Sequence, residues 1–243
     1  MSLPAEEIAP VPLSALLRER TRAAHGEANS EQFIEELLSG GLTRAAHADL
    51  SAQLLPVYEA LEEASAALGS ASQVGDQAGD QAGDQSDGQG DEQSDDHRGA
   101  GLVFAELTRV PALERDLAFL YGPAWRDEIR ILPTTRAYAD HIREVGGSLP
   151  HYAAHSYTRY LGDLSGGQIV KRMMKQHYGL EEDGVAFYTF PDIPKVKVFK
   201  DAYRDALDRL DLDDDEVTAT LDETLLAFEL NRAVFTELAA IHC

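Results

Sequence analysis

Residues 157–170, YTRYLGDLSGGQIV, decide how the rest of the chain is read. Glycine stands at 162, 166 and 167, and each costs a helix interior about 1 kcal/mol relative to alanine. Apolar residues on either side nevertheless recur at three and four, the helical period. Positions 159, 162, 163, 166, 167 and 170 share one helical stripe, so Arg159, Asp163 and all three glycines face the same way. A stripe without side chains admits a closely packed helix, a hinge, or a broad flat body lying on the backbone. Asp163 shifts the balance, because a buried carboxylate needs a partner or water. The stripe then reads as a polar device facing a cavity.

The same period extends through nearly the whole chain, with helices expected near 13–25, 30–39, 44–68, 101–121, 134–146, 149–178, 196–210 and 214–240. Asn29 or Ser30 suits the cap of the second, Gly40-Gly41 stops it, Thr43 suits the cap of the third, and the acids from Asp213 to Glu216 suit the start of the last. Pro56 is expected to bend the third helix. The stretch 187–194, FYTFPDIP, is apolar but broken by two prolines, and reads as a packed loop rather than a strand. The fold class is therefore all-α: a single-domain helical bundle over residues 1–243. Two stretches fall outside its core, a flexible N-terminus at 1–12 and an acidic low-complexity insertion at 70–99. Within the latter, ASQVGDQAGDQAGDQSDGQGDEQSDD at 71–96 has no aromatic or basic residue and cannot build a core, so disorder is expected.

Composition narrows the function classes. The 243 residues carry 21 Lys+Arg against 43 Asp+Glu, a net charge of −22, which disfavours nucleic acid and anionic membrane surfaces as partners. A hydrophobic share of 44% is ample for a core. The one cysteine, Cys243, can join neither an intramolecular disulfide nor a multi-cysteine metal site, as suits a reducing cytoplasm. The N-terminal MSLPAEEIAPVPLSALL lacks the basic and unbroken apolar regions of a secretory signal, and no apolar run is long enough for a membrane span. A monomeric cytoplasmic protein is expected.

The segment SYTRYLGDLSGGQ, 156–168, resembles the distal-helix signature of the heme oxygenases. The likeness extends to LRERTRAAH ending at His25, YEALEE after Pro56, LERDLAFLYGPAW at 113–125, FYTFPDI, KVFKDAYR and AFELNRAVFTEL. It implies an enzyme that cleaves heme with O2 and reducing equivalents to biliverdin, carbon monoxide and ferrous iron, heme b being both cofactor and substrate. His25 matches the family's proximal iron ligand, a role that needs a neutral imidazole. The other histidines, His155 among them, read as structural or solvated. The family commonly has a glutamate four residues after the ligand, where this chain has Asn29, an uncharged acceptor.

On the distal side, the resemblance lets heme lie against the backbone at Gly162 and Gly166. It makes Asp163 the holder of an ordered-water relay, with Arg159, Tyr58 and Asn231 as the other members of that network. Tyr157 and Thr158, within the signature, fall among the heme-binding positions. Lys200 and Arg204, at i and i+4 on one helical face, and Arg18, seven residues before His25, are the candidate cations for the two heme propionates. Phe33, Ile34, Leu37, Phe228 and Phe235 suit pocket walls and core equally.

No glycine fingerprint for a dinucleotide and no cysteine cluster is present, so electrons are expected from a separate reductase, a flavoprotein or ferredoxin-type donor. Lys171, Arg172 and Lys175 form a basic turn that either docks that donor or is an ordinary solvated face. The alternative to catalysis is a heme carrier or buffer. Such a protein would use His25 and the cations but would have little need for Asp163 and three costly glycines.

Overall fold

The computed structural model describes residues 11–24, 31–79 and 101–243, with the backbone alone for 71–79. Its helices are α1 (Leu13–Arg20), α2 (Gln32–Ser39), α3 (Arg44–Gly79), α4 (Val110–Tyr121), α5 (Trp125–Glu128), α6 (Pro133–Val145), α7 (Leu149–Ser156), α8 (Gly162–Tyr178), α9 (Val196–Asp208) and α10 (Asp214–His242). A π turn, Tyr157–Leu161, joins α7 to α8, and there is no strand among the described residues. The all-α expectation holds.

Local chemistry explains several boundaries. Asp213 accepts from the Glu216 backbone N–H at 2.8 Å while Glu216 accepts from that of Asp213 at 2.9 Å, a capping box that starts α10. Gly40 ends α2 in the left-handed region at φ 82°, where a Cβ would meet the His177 ring at 2.7 Å. Pro133 and Pro150 sit in the first turns of α6 and α7, where a missing N–H costs nothing.

Helix α3 is the axis of the bundle, packed on α4, α6, α7 and α10, while α10 also covers α1, α2, α6 and α7. Leu61, Leu113, Leu117 and Tyr203 are fully buried at its centre, each such side chain contributing about 1.5–3 kcal/mol of transfer free energy. Helix α9 lies against α1, where Asp208 accepts from the Ser14 backbone N–H and hydroxyl at 2.7 and 2.8 Å. The expected packed loop is found, with Phe187, Tyr188, Phe190 and Ile193 all buried.

Three boundaries differ from expectation. The fourth helix does not begin at 101: a short 3-10 turn at Ala105–Leu107 precedes α4, which opens at Val110. Glu62, on α3, takes the backbone N–H groups of Arg109 and Val110 at 2.5 and 3.0 Å, and Pro111 follows within the first turn. Helix α3, expected to end near 68, runs to Gly79; a formed helix gains one hydrogen bond for each further residue it fixes. The long helix expected over 149–178 is interrupted by the π turn. The remainder of the insertion, most of the N-terminal stretch, and the predicted residues His25, Asn29 and Ser30 lie outside the described residues.

Candidate functional site

Arg159 lies within the π turn. Its side chain is 10% exposed and Asp163's 12%, so both face inward, as their shared stripe implies. Four helical segments bring their polar groups together here. Tyr58, fully buried on α3, donates its hydroxyl to Asp163 Oδ2 on α8. Arg159 Nε donates to the same Tyr58 oxygen at 3.2 Å, its Nη1 donates to Asn231 Oδ1 on α10 at 2.5 Å, and its Nη2 stands 4.0 Å from Asp163 Oδ1. The guanidinium also lies 5.1 Å from the centre of the Tyr58 ring. All four residues of the expected network are therefore assembled.

Burial sets the electrostatics. Desolvation pushes the Asp163 carboxyl up to about 6, against the opposing pull of Arg159 and the Tyr58 hydrogen bond. The same burial holds the Tyr58 hydroxyl well above its ordinary value. Desolvation works against the Arg159 charge, but the facing Tyr58 and Asp163 outweigh it and raise its pKa. The result is a carboxyl that changes protonation near neutral pH beside a cation that does not.

The glycines divide into two kinds. A Cβ built on Gly162 or Gly166 meets nothing within 4 Å, whereas one on Gly167 would lie 3.4 Å from Tyr188 Cδ1. Gly167 thus serves packing against the aromatic loop, and Gly162 and Gly166 keep a face of α8 clear beside Asp163. Of the cations, Lys200 reaches across from α9 to Ser165 Oγ at 3.1 Å, at the edge of that cleared face. Arg204 donates to Asp201 at 2.9 Å, and Arg18 is exposed on α1. Tyr157 and Arg18 line a cavity of about 580 Å³ between α1 and the π turn. Burial raises the Tyr157 hydroxyl's pKa while Thr21, Arg204 and Arg18 draw it down. Thr158 is turned elsewhere: its hydroxyl donates back to Ala154 O at 2.9 Å. Phe33 and Leu37 are fully buried core residues, and Ile34 and Phe235 pack against the same core.

The supports of this site escaped the sequence reading. Asp116 accepts the Ala186 and Phe187 N–H groups at 2.8 and 2.7 Å and so anchors the loop whose Phe187 ring stands edge-on to Tyr58 at 5.1 Å. Arg109 is 4% exposed, donates to Thr189 O at 2.6 Å and covers the Phe190 ring at 4.0 Å. The available signal was a charged residue inside an otherwise apolar face. In the basic turn, Lys171 pairs with Glu182 at 3.0 Å and Lys175 with Glu181 at 2.5 Å, so two of its three charges are engaged within the chain.

The family model described as heme oxygenase matches residues 11–76 and 89–237. The chain belongs to the heme oxygenase family. Heme oxygenase 1 of the cyanobacterium Synechocystis sp. is 36% identical over 230 residues, covering 94% of this chain and 85% of that protein. The human heme oxygenase 1 is 33% identical over 247 residues, covering 98% and 75%. The crystal structure of the Synechocystis heme oxygenase-1 in complex with heme superposes with a TM-score of 0.78 at 36% identity, covering 94% of this chain and 92% of that one. The heme oxygenase-2 from the same organism, in complex with heme and NO, gives 0.80 at 31% identity, covering 95% and 86%.

Proposed function

We propose that the chain cleaves heme oxidatively, with O2 and electrons from a separate reductase, to biliverdin, carbon monoxide and ferrous iron. The observation that carries this reading is the side-chain-free face at Gly162 and Gly166 set directly against the largely buried Tyr58–Asp163–Arg159–Asn231 network. A heme carrier would need a cleft and a ligand. It would have no use for a buried carboxyl poised near pH 6.

The residues fit the group. The cleared face would admit a flat macrocycle, His25 is the proposed iron ligand, and Lys200, Arg204, Arg18 and Tyr157 are the groups that would hold its carboxylates. Bound heme supplies an iron that activates oxygen and a porphyrin edge that is itself oxidised. The chain's own groups manage protons. Asp163, fixed by Tyr58 on one side and Arg159 on the other, exchanges a proton near neutral pH and hands it on through water at the cleared face. Tyr58 and Asn231 hold Arg159 in place so that its permanent charge keeps Asp163 from drifting further toward the neutral form. Lys200 and Arg204 fix the rotation of the macrocycle and hence which edge meets oxygen. Thr158 acts by holding the helix backbone at the π turn.

No described helix is long and apolar enough to cross a membrane, and together with the strongly acidic composition this favours a cytoplasmic setting. The reading is tested by Asp163→Ala: hemin should still bind with its axial-histidine spectrum, while bilin yield per heme consumed falls at least tenfold. A normal bilin yield from that variant removes Asp163 from the chemistry.

A further inference from the structure

Three imidazoles converge on one carboxylate where α6, α7 and α10 meet. Glu223, on α10, presents Oε1 to two rings at once: His141 Nε2 of α6 at 2.7 Å and His155 Nε2 of α7 at 2.8 Å. Its other oxygen faces His151 Nε2 at 3.9 Å. The ligand-capable atoms of His141, His155 and Glu223 all lie within 4.8 Å of one another, and no other His, Cys, Asp or Glu group among the described residues is so arranged.

The arrangement has the parts of a cation site. His151 and His155 are four residues apart on one helix, the spacing that places two imidazoles on a single face toward one ion. Ser148 Oγ lies 2.9 Å from His151 Nδ1. A proton on that nitrogen donates to the hydroxyl and leaves the Nε2 lone pair aimed at Glu223, the outer hydrogen bond by which protein-bound metals orient their imidazoles. His155 and Glu223 are buried, while the His141 and His151 side chains are 26% and 31% exposed and offer a path of entry. The donor set of imidazole nitrogens with one carboxylate suits borderline divalent ions such as zinc, cobalt and nickel rather than calcium or magnesium. Bonds of about 2.0–2.1 Å in a tetrahedron separate ligand atoms by about 3.3 Å. The two Glu223–His separations of 2.7 and 2.8 Å therefore open by about half an ångström on loading and the His151–Glu223 separation of 3.9 Å closes by about as much, movements the partly exposed His141 and His151 rings can make.

We propose that His141, His151, His155 and Glu223 form a binding site for a divalent cation of the zinc class, which ties α6, α7 and α10 together just ahead of the π turn. None of its ligands belongs to the Tyr58–Asp163–Arg159–Asn231 network. Its ligands are contributed by three elements, and α7 leads directly into Arg159, so the ion would stiffen the frame that carries the distal network.

The test uses the full chain loaded with hemin, so that the heme cleft is occupied, titrated calorimetrically with Zn2+ against His141→Ala/His151→Ala. Both substituted side chains are partly exposed, and circular dichroism confirms that the variant is folded. The parent should take up zinc at micromolar or tighter affinity, show imidazole scattering at the zinc absorption edge and melt at a higher temperature with zinc. The double variant should bind at least tenfold more weakly and lose the thermal shift. Absence of zinc uptake by the parent, a loss smaller than tenfold, or an absorption edge without imidazole scattering overturns the proposal.

Discussion

Replacing Gly166 by Leu separates two consequences that usually travel together. A Cβ at this position meets no heavy atom within 4 Å, so the side chain starts into open space and the heme-free protein loses no contact. Leucine is favoured over glycine in a helix by about 0.8 kcal/mol. For a chain of this size about 2–4 °C accompanies each kcal/mol, so the heme-free variant should melt about 2–3 °C higher than its parent. The same side chain stands where a flat macrocycle would rest on α8. Hemin should therefore bind at least tenfold more weakly, about 1.4 kcal/mol. Thermal melting by circular dichroism reads the first effect and a Soret titration the second. Gly167→Ala is the control: its Cβ would touch Tyr188 at 3.4 Å, on the packed side, and hemin affinity should change less than twofold. A heme-free Gly166→Leu protein that melts well below its parent, or one that binds hemin normally, would refute the assignment of this face.

Three further outcomes are expected. In the heme-free protein the Asp163 carboxyl sits at about 6, above about 3.9 in an unfolded chain. The folded form therefore keeps its proton longer, and the stability tied to this group is full below about pH 4 and lost as pH rises through 6. The difference of about two units is worth about 3 kcal/mol, so Asp163→Asn should gain stability relative to its parent between pH 4 and pH 8; urea unfolding that shows no such trend rejects the buried-acid account. Substituting both Lys200 and Arg204 by Ala should yield a mixture of bilin isomers on chromatography where the parent gives one. Asp116→Ala leaves the Ala186 and Phe187 N–H groups, now held at 2.8 and 2.7 Å, without their acceptor. It should cost about 2–4 kcal/mol in urea unfolding, and a loss below 1 kcal/mol would show that the loop does not depend on it.

Helix content and most ends were readable because their causes are local. The box of Asp213 and Glu216 and the stop at Gly40 each need only a few neighbouring residues. The late start of α4 was not readable, since Glu62 fixes it from another helix across the fold. The π turn was equally hidden, since a shift from i+4 to i+5 bonding changes no residue type. Periodicity placed the three glycines on one stripe but left packing, hinge and flat-body roles open, because Tyr188, which claims Gly167 for packing, lies in a loop. Tyr58 and Asn231 carry no local signal at all and were found through resemblance. The pairing of Glu223 with His155 and His141 joins distant helices, so the latter two read as unremarkable histidines in the sequence.

The most direct measurement follows the fate of hemin in air. The full-length protein is mixed with one equivalent of hemin and a reducing system, and heme, bilin and carbon monoxide are quantified together. The Soret band should disappear with about one bilin and one carbon monoxide released for each heme lost. Heme that persists unchanged, or that bleaches without giving either product, contradicts the account.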